Sequence, residues 1–198
     1  MVFERLRQRI EVTDAEFNAI YPTAIRKQSE NHWTPIAVAK AASRFLVTSR
    51  DTRVLDIGSG SGKFCLIGAT HTDGHFTGVE QRLELAELTT ELAHAYNLFN
   101  VKCIHGNIAS ITFSDYDAFY FFNSFHENID VTNKVDDTVR VDIKFYEVYT
   151  AYMVEQLIRL PAGTRLATYY TPATIIPRCF QRVDTLYQGQ LHFWEKVV

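Results

Sequence analysis

One string constrains this chain more than any other: Val54-Leu55-Asp56-Ile57-Gly58-Ser59-Gly60-Ser61-Gly62-Lys63-Phe64. Three of the nine glycines fall within five residues there, after an apolar run and before a helix-like one. Glycine takes positive φ at little cost, and without a Cβ it lets a ligand approach the backbone. Three nucleotide-loop patterns compete for this turn. A phosphate-binding P-loop requires G-x-x-x-x-G-K-[ST]. Gly62-Lys63 supplies its end, but Ile57 stands where the first glycine belongs and Phe64 replaces Ser/Thr, so that pattern fails. A dinucleotide fingerprint requires G-x-G-x-x-G. Here the third glycine comes one position early, with Lys63 in its place, which weakens that pattern without removing it.

The surrounding sequence predicts alternating strands and helices. Residues 53–57, 75–80, 101–104, 118–122 and 164–170 read as strands, the fourth unbroken and buried on both faces. Residues 63–70, 83–96 and 140–159 read as helices. Such alternation implies an α/β fold with a mostly parallel sheet and helices on both faces. Residues 180–188 and 190–197 around Gly189 predict a C-terminal antiparallel hairpin. Upstream, Thr13-Asp14-Ala15-Glu16 has capping-box spacing. Thr34-Pro35 predicts an N-cap followed by proline at the first helical position. Residues 1–50 are thus expected to form a helical lead-in and 51–198 the main domain, as one structural unit. In parallel sheets ligands sit at the carboxyl ends of the strands, which directs attention to residues 56–62, 80–82, 105–108 and 123–127.

The pattern Asp56-x-Gly58-x-Gly60-x-Gly62 after an apolar strand resembles motif I of the class I S-adenosylmethionine (SAM) dependent methyltransferases. The resemblance spans about residues 34–197. It implies the Rossmann-like methyltransferase fold, a seven-stranded sheet ending in an antiparallel hairpin, with SAM as cofactor. It also implies roles. Asp56 orients the amine of the methionine part, and Gly58, Ser59, Gly60 and Gly62 form the floor. Glu80, 18 residues after Gly62, takes the ribose hydroxyls, and Gln81 neighbours the adenine. At Asn107-Ile108 many family members carry an acid that binds the adenine amino group. An asparagine oxygen can accept the same bond.

The fourth strand ends Phe122-Asn123-Ser124-Phe125-His126-Glu127, where the family faces the methyl group. Enzymes that methylate exocyclic amines of bases usually carry Asn/Asp-Pro-Pro-aromatic there. Ser124 and Phe125 replace both prolines, so a nucleic acid acceptor is disfavoured against a protein side-chain amine or a small molecule. Asn123 is the expected acceptor-side residue, by hydrogen bonding to an amine or amide. His126, beside Glu127, is a candidate general base. The pieces Asp56 to Gly62, Gly78-Val79-Glu80 and Phe122-Asn123-x-Phe125 also resemble the Dot1-like protein lysine methyltransferases. His32-Trp33-Thr34 is expected to fold over the cofactor, Trp33 contributing a cation–π attraction to the sulfonium. A polar insertion at 125–140, containing Asp130, Asn133, Lys134, Asp136, Asp137 and Arg140, is expected to act as a lid or specificity loop.

Composition narrows the remaining classes. A chain of 198 residues with 46% hydrophobic content can bury a full core. The net charge of -3 argues against holding nucleic acid by the overall field. Cys65, Cys103 and Cys179 are odd in number and far apart, which predicts a reduced, cytoplasmic chain without a disulfide framework and without a metal. The first residues are too charged for a signal peptide, and no apolar run spans a membrane. Two rivals to a methyltransferase remain: an NAD(P)-dependent oxidoreductase and a non-catalytic SAM-binding protein.

Overall fold

Alternate residues of a strand point to opposite faces of its sheet, and the core of this protein divides accordingly. The computed structural model describes residues 1–130, 132 and 134–198, and the side chains of Glu30 and Asn31 also lie outside the description. Among the described residues seven strands form one sheet: β1 Arg53–Ile57, β2 His75–Glu80, β3 Val101–His105, β4 Ala118–Phe121, β5 Arg165–Tyr169, β6 Phe180–Leu186 and β7 Leu191–Lys196. Their order is β3-β2-β1-β4-β5-β7-β6. The first five run parallel, while β7 is antiparallel to β5 and β6 to β7. This is the mostly parallel seven-stranded sheet with a terminal hairpin that the sequence predicts.

Eight α-helices among the described residues complete the fold. Five precede the sheet: α1 Val2–Arg7, α2 Asp14–Asn18, α3 Thr23–Arg26, α4 Ser29–His32 and α5 Ile36–Leu46. Two make crossovers, α6 Lys63–His71 from β1 to β2 and α7 Leu83–Ala95 from β2 to β3, and α8 Ile143–Arg159 leads into β5. Val54, Phe76, Tyr120, Ala167 and Phe193 pack with α5, α6 and α7 on one face. Leu55, Ile57, Phe119, Phe121 and Trp194 pack on the other with Tyr149, Met153 and Leu157 of α8. Each large apolar side chain so buried contributes roughly 1.5–3 kcal/mol. The chain leaves β1 toward β2 on one side and reaches β4 on the other, so a crevice opens at the carboxyl ends of these strands.

The lead-in closes one wall of that crevice. The capping box at Thr13 forms as its spacing implies, with Glu16 N donating to Thr13 Oγ1 and Thr13 N donating to Glu16 Oε2. At α5 the structure differs from the expectation, because Pro35, not Thr34, occupies the N-cap. Thr34 Oγ1 is instead bonded to Tyr120 Oη at 2.9 Å, and the free N–H of Ile36 donates to Asp14 Oδ1 at 3.1 Å. A side chain from another helix thus does the capping. Strand ends also shift by one residue. β4 stops at Phe121 and β5 at Tyr169, because Asn123 (φ +41°) and Tyr170 (φ +48°) turn into the left-handed region. Helix α8 begins only at Ile143, where Asp142 accepts from Lys144 N at 3.0 Å. No helix is long and apolar enough to cross a membrane among the described residues.

Gly68 sets how closely α6 approaches β2. A Cβ there would lie 2.4 Å from Cε1 of Phe76. Gly68→Ala gains about 1 kcal/mol of helix propensity but incurs roughly 1–3 kcal/mol of overpacking against a ring buried in the sheet. The expected outcome is a lower thermal unfolding midpoint. A raised midpoint would show that α6 can lift from β2 freely.

Candidate functional site

All three glycines of the loop are left-handed, at φ +71°, +53° and +73° for Gly58, Gly60 and Gly62. Their reasons differ. A Cβ on Gly58 would stand 2.4 Å from that of Ser124, and one on Gly62 would stand 2.2 Å from Cγ2 of Thr89. Gly60 meets nothing within 4 Å and faces open space. The outer two glycines therefore permit packing, and the middle one leaves room for a ligand.

The loop is tied inward by its own amides. Ser59 N donates to the Val79 carbonyl at 2.9 Å, and Gly62 N to the Ser59 carbonyl at 2.9 Å. Gly60 N donates to Glu80 Oε2 at 2.9 Å, while Arg82 N donates to Glu80 Oε1 at 2.8 Å. Glu80 is thus a buried brace between the loop and the start of α7. Each of its oxygens keeps a lone pair for a further donor. Burial raises its pKa, opposed by these amides and by the Arg82 charge.

Asp56 is also buried, and among the described residues no cation pairs with it. Cys65 Sγ donates to its Oδ2 at 3.5 Å. Burial raises its pKa to about 7, against the Cys65 hydrogen bond and with the Glu80 charge adding to the rise.

A cavity of about 460 Å³ opens over these carboxylates. Of the residues expected from sequence, Asp56, Gly58, Ser59, Gly60, Glu80, Gln81, Ile108, Asn123 and His126 line it, together with His32, Trp33 and Thr34 of the lead-in. Gly62 stands behind the loop. Asn107 does not line the cavity. Its Oδ1 caps the turn Ile108–Ser110 by accepting from Ala109 N at 2.9 Å, and its Nδ2 donates to Tyr149 Oη at 2.7 Å. The expected asparagine is here a brace, and Gly106 and Ile108 face the space instead. No hydrogen bond joins His126 to Glu127. Both oxygens of Glu127 are taken by Arg82, at 3.2 and 2.8 Å, so the side chain is held away from base chemistry.

Arg82 and Ser124 fall within the strand-end windows expected from sequence but have no role assigned there, and Lys63, Tyr169 and Tyr170 are not expected at the site; all five line the cavity. Arg82 is buried and bonded to Glu127 and, through Nε at 3.0 Å, to Asp136. It fastens the 125–140 insertion to the brace carboxylate, although Asn133 of that insertion lies outside the described residues. Ser124 donates to the Ile57 carbonyl at 2.6 Å and so joins β4's end to β1's. Its signal was present as the departure from Pro-Pro. On the far side Phe122, Tyr169 and Tyr170 form an aromatic wall, with ring centroids 4.7–6.1 Å apart. His32 is held below its ordinary pKa by burial, against the pull of the Glu127 charge.

Comparison with known proteins follows the same line. Residues 54–141 match the model of a methyltransferase domain family. TrmN from Thermus thermophilus is 18% identical at a TM-score of 0.64, over 87% of this chain and 52% of that one. An RNA methyltransferase from Salinibacter ruber, in complex with S-adenosyl-L-homocysteine, is 16% identical at 0.57, over 83% and 94%. The [4+2]-cyclase SpnF is 17% identical at 0.53, over 70% and 47%. The chain spans about half the length of TrmN and of SpnF. No curated protein matches the sequence. These likenesses establish the fold as the Rossmann-like methyltransferase fold.

Asp56 gives the site a pH signature. Between its ordinary value of 3.8 and about 7, the unfolded chain has released a proton that the folded chain keeps. Stability therefore falls as pH rises through that window. Asp56→Asn is expected to flatten this decline in the unfolding midpoint of the ligand-free protein. An unaltered slope would place the carboxyl in a wetter setting than its burial implies.

Proposed function

We propose that this chain is a SAM-dependent methyltransferase, acting on an acceptor held between Asn123 and the aromatic wall. One observation carries the reading: in the glycine loop the Ser59, Gly60 and Gly62 amides are bonded to the Val79 carbonyl, the Glu80 carboxylate and the Ser59 carbonyl. A phosphate cradle needs those N–H groups free and aimed at the ligand. Here the loop is instead faced by two buried carboxylates, Asp56 and Glu80, which repel phosphate and suit an ammonium and ribose hydroxyls. SAM has both and no phosphate, whereas a dinucleotide brings its pyrophosphate to this turn. The matched methyltransferase domain and its fold agree with that preference.

When bound, SAM supplies a methyl group already attached to a cationic leaving group, so the protein's work is binding, alignment and exclusion of water. Asp56 holds the amine, and Glu80 takes the hydroxyls while keeping its amide donors. Gln81, Gly106 and Ile108 bound the adenine end. Trp33, buried in the wall, lines the cavity. Asn123, which lines the cavity with a left-handed backbone and its N–H donating to Thr171 Oγ1 at 3.3 Å, orients the acceptor amine or amide. His126, exposed at the rim, receives the proton that the methylated group sheds. The insertion fastened by Arg82 and Asp136 covers the site as a lid. The likeness of Phe122-Asn123-x-Phe125 to the Dot1-like enzymes supports a protein side-chain amine among the acceptors, and a small molecule is the other class.

The fold also serves the [4+2]-cyclase SpnF, so cofactor binding and methyl transfer need separate tests. Calorimetry with SAM and NAD side by side is expected to give binding to SAM alone. Glu80→Ala is expected to weaken that binding more than about tenfold, since it removes charge-assisted bonds worth roughly 1.5–3 kcal/mol. Incubating the protein with a cell lysate and radioactive SAM is then expected to label one fraction of protein, RNA or metabolite. SAM binding with no label anywhere would leave a non-catalytic binder.

A further inference from the structure

We propose that Arg82 is a positioning residue that couples the cofactor half of the cavity to the acceptor half: it holds the turn carrying Asn123 and His126 more tightly when Glu80 accepts from the ribose hydroxyls. The inference rests on the SAM reading above and adds to it a residue to which the motif gives no part. Arg82 is buried at the start of α7, between Glu80 at the end of β2 and Glu127 in the turn after β4. A guanidinium offers five N–H groups in a fixed plane. Nη1 and Nη2 donate to the two Glu127 oxygens, at 3.2 and 2.8 Å, and Nε donates to Asp136 Oδ1 at 3.0 Å. Nη1 also lies 3.6 Å from Glu80 Oε1, an ion pair too long for a hydrogen bond. One buried cation is thus contested by three carboxylates.

The turn gripped in this way is the one that bears the acceptor-side residues. Glu127 lies in the short helical turn His126–Asn128. His126 N donates to the Asn123 carbonyl at 3.0 Å and Asn128 N to the Phe125 carbonyl at 3.1 Å, so residues 123–128 form one hydrogen-bonded unit. Ser124 ties the near end of that unit to β1 through the Ile57 carbonyl, and Arg82 ties its far end to the start of α7. Val135 N adds a bond to Glu127 Oε2 at 3.4 Å. In a buried setting, where water screens little, the attraction Glu80 exerts on Arg82 is withheld from Glu127 and Asp136. Once Glu80 accepts from two hydroxyls, part of its charge is answered by them, and the guanidinium is left to the other two carboxylates. Linkage makes the effect reciprocal: a turn that tightens on cofactor binding must in return strengthen that binding.

Amide hydrogen exchange and calorimetry with S-adenosylhomocysteine together test the coupling. In the unaltered protein, saturation with this ligand is expected to slow exchange over residues 124–129 about fivefold or more. Glu127→Gln removes the charge that the guanidinium grips. It is expected to abolish that slowing and to weaken S-adenosylhomocysteine by a similar factor, about fivefold. Exchange in β1 and β4 that stays slow shows that the variant folds. Arg82→Lys keeps a cation beside Glu80 but lacks the planar fork, and is expected to lose the slowing as well. A purely structural tie would instead let the turn exchange faster in both variants while leaving its response to the ligand as it was. Exchange over 124–129 that ignores the ligand in the unaltered protein, or that slows equally in Glu127→Gln, would overturn the proposal. If the unaltered protein bound no S-adenosylhomocysteine, the SAM reading itself would fall, which is a different result.

Discussion

The carboxylate of Glu80 is the interaction on which the site is built. One oxygen receives Gly60 N and the other Arg82 N, so a single side chain fixes the glycine loop and the start of α7. The loop could not take its path otherwise. Its three left-handed glycines have lost more conformational freedom than other residues would, and the hydrogen bonds at Ser59, Gly60 and Gly62 offset that cost. Because β1 and β2 are adjacent and parallel, with Ile57 opposite Val79, their ends bring loop and carboxylate together without any long-range search.

From Glu80 the order spreads through Arg82. This guanidinium lies 3.6 Å from Glu80, is doubly bonded to Glu127 and reaches Asp136. One buried cation is surrounded by three carboxylates, so the cluster carries excess negative charge beside an already carboxylate-lined cavity. Buried ion pairs of this kind add little net stability, because desolvation offsets most of the attraction. Their effect is to fix geometry: Glu127 in the turn after β4 and Asp136 further along are held against the start of α7 beside the site. The same charge excess favours a ligand that brings a cation to it.

Local pattern explains what could be read from the sequence. The β1–loop–α6 unit, the strand at 75–80 and the Thr13 capping box each depend on residues within a few positions of one another, and the structure bears them out. The 180–197 hairpin was legible for the same reason. What stayed hidden is joined across long separations. Lys63 meets Asp14 49 residues away, Arg82 meets Asp136 at 54, and Ser124 meets Ile57 at 67. No periodicity encodes such pairs. Thr34 and Asn107 mislead in a related way. Both have the side chain for the role expected of them, but Tyr120 claims one hydroxyl, while Ala109 and Tyr149 claim the amide.

The two buried acids differ in how their charge is compensated. Burying a carboxyl in apolar surroundings disfavours its charged form unless a partner compensates. Glu80 has backbone amides and Arg82, whereas among the described residues Asp56 has the Cys65 thiol as its one side-chain partner, and burial raises its pKa. Lys63 is compensated by Asp14, which pairs with it from the lead-in and whose Oδ1 also accepts from Ile36 N. The acid and the cation on either side of the glycine loop are thus set by the fold, Asp56 by its place in β1 and Lys63 by its place at the first residue of α6, and each is compensated by a different element.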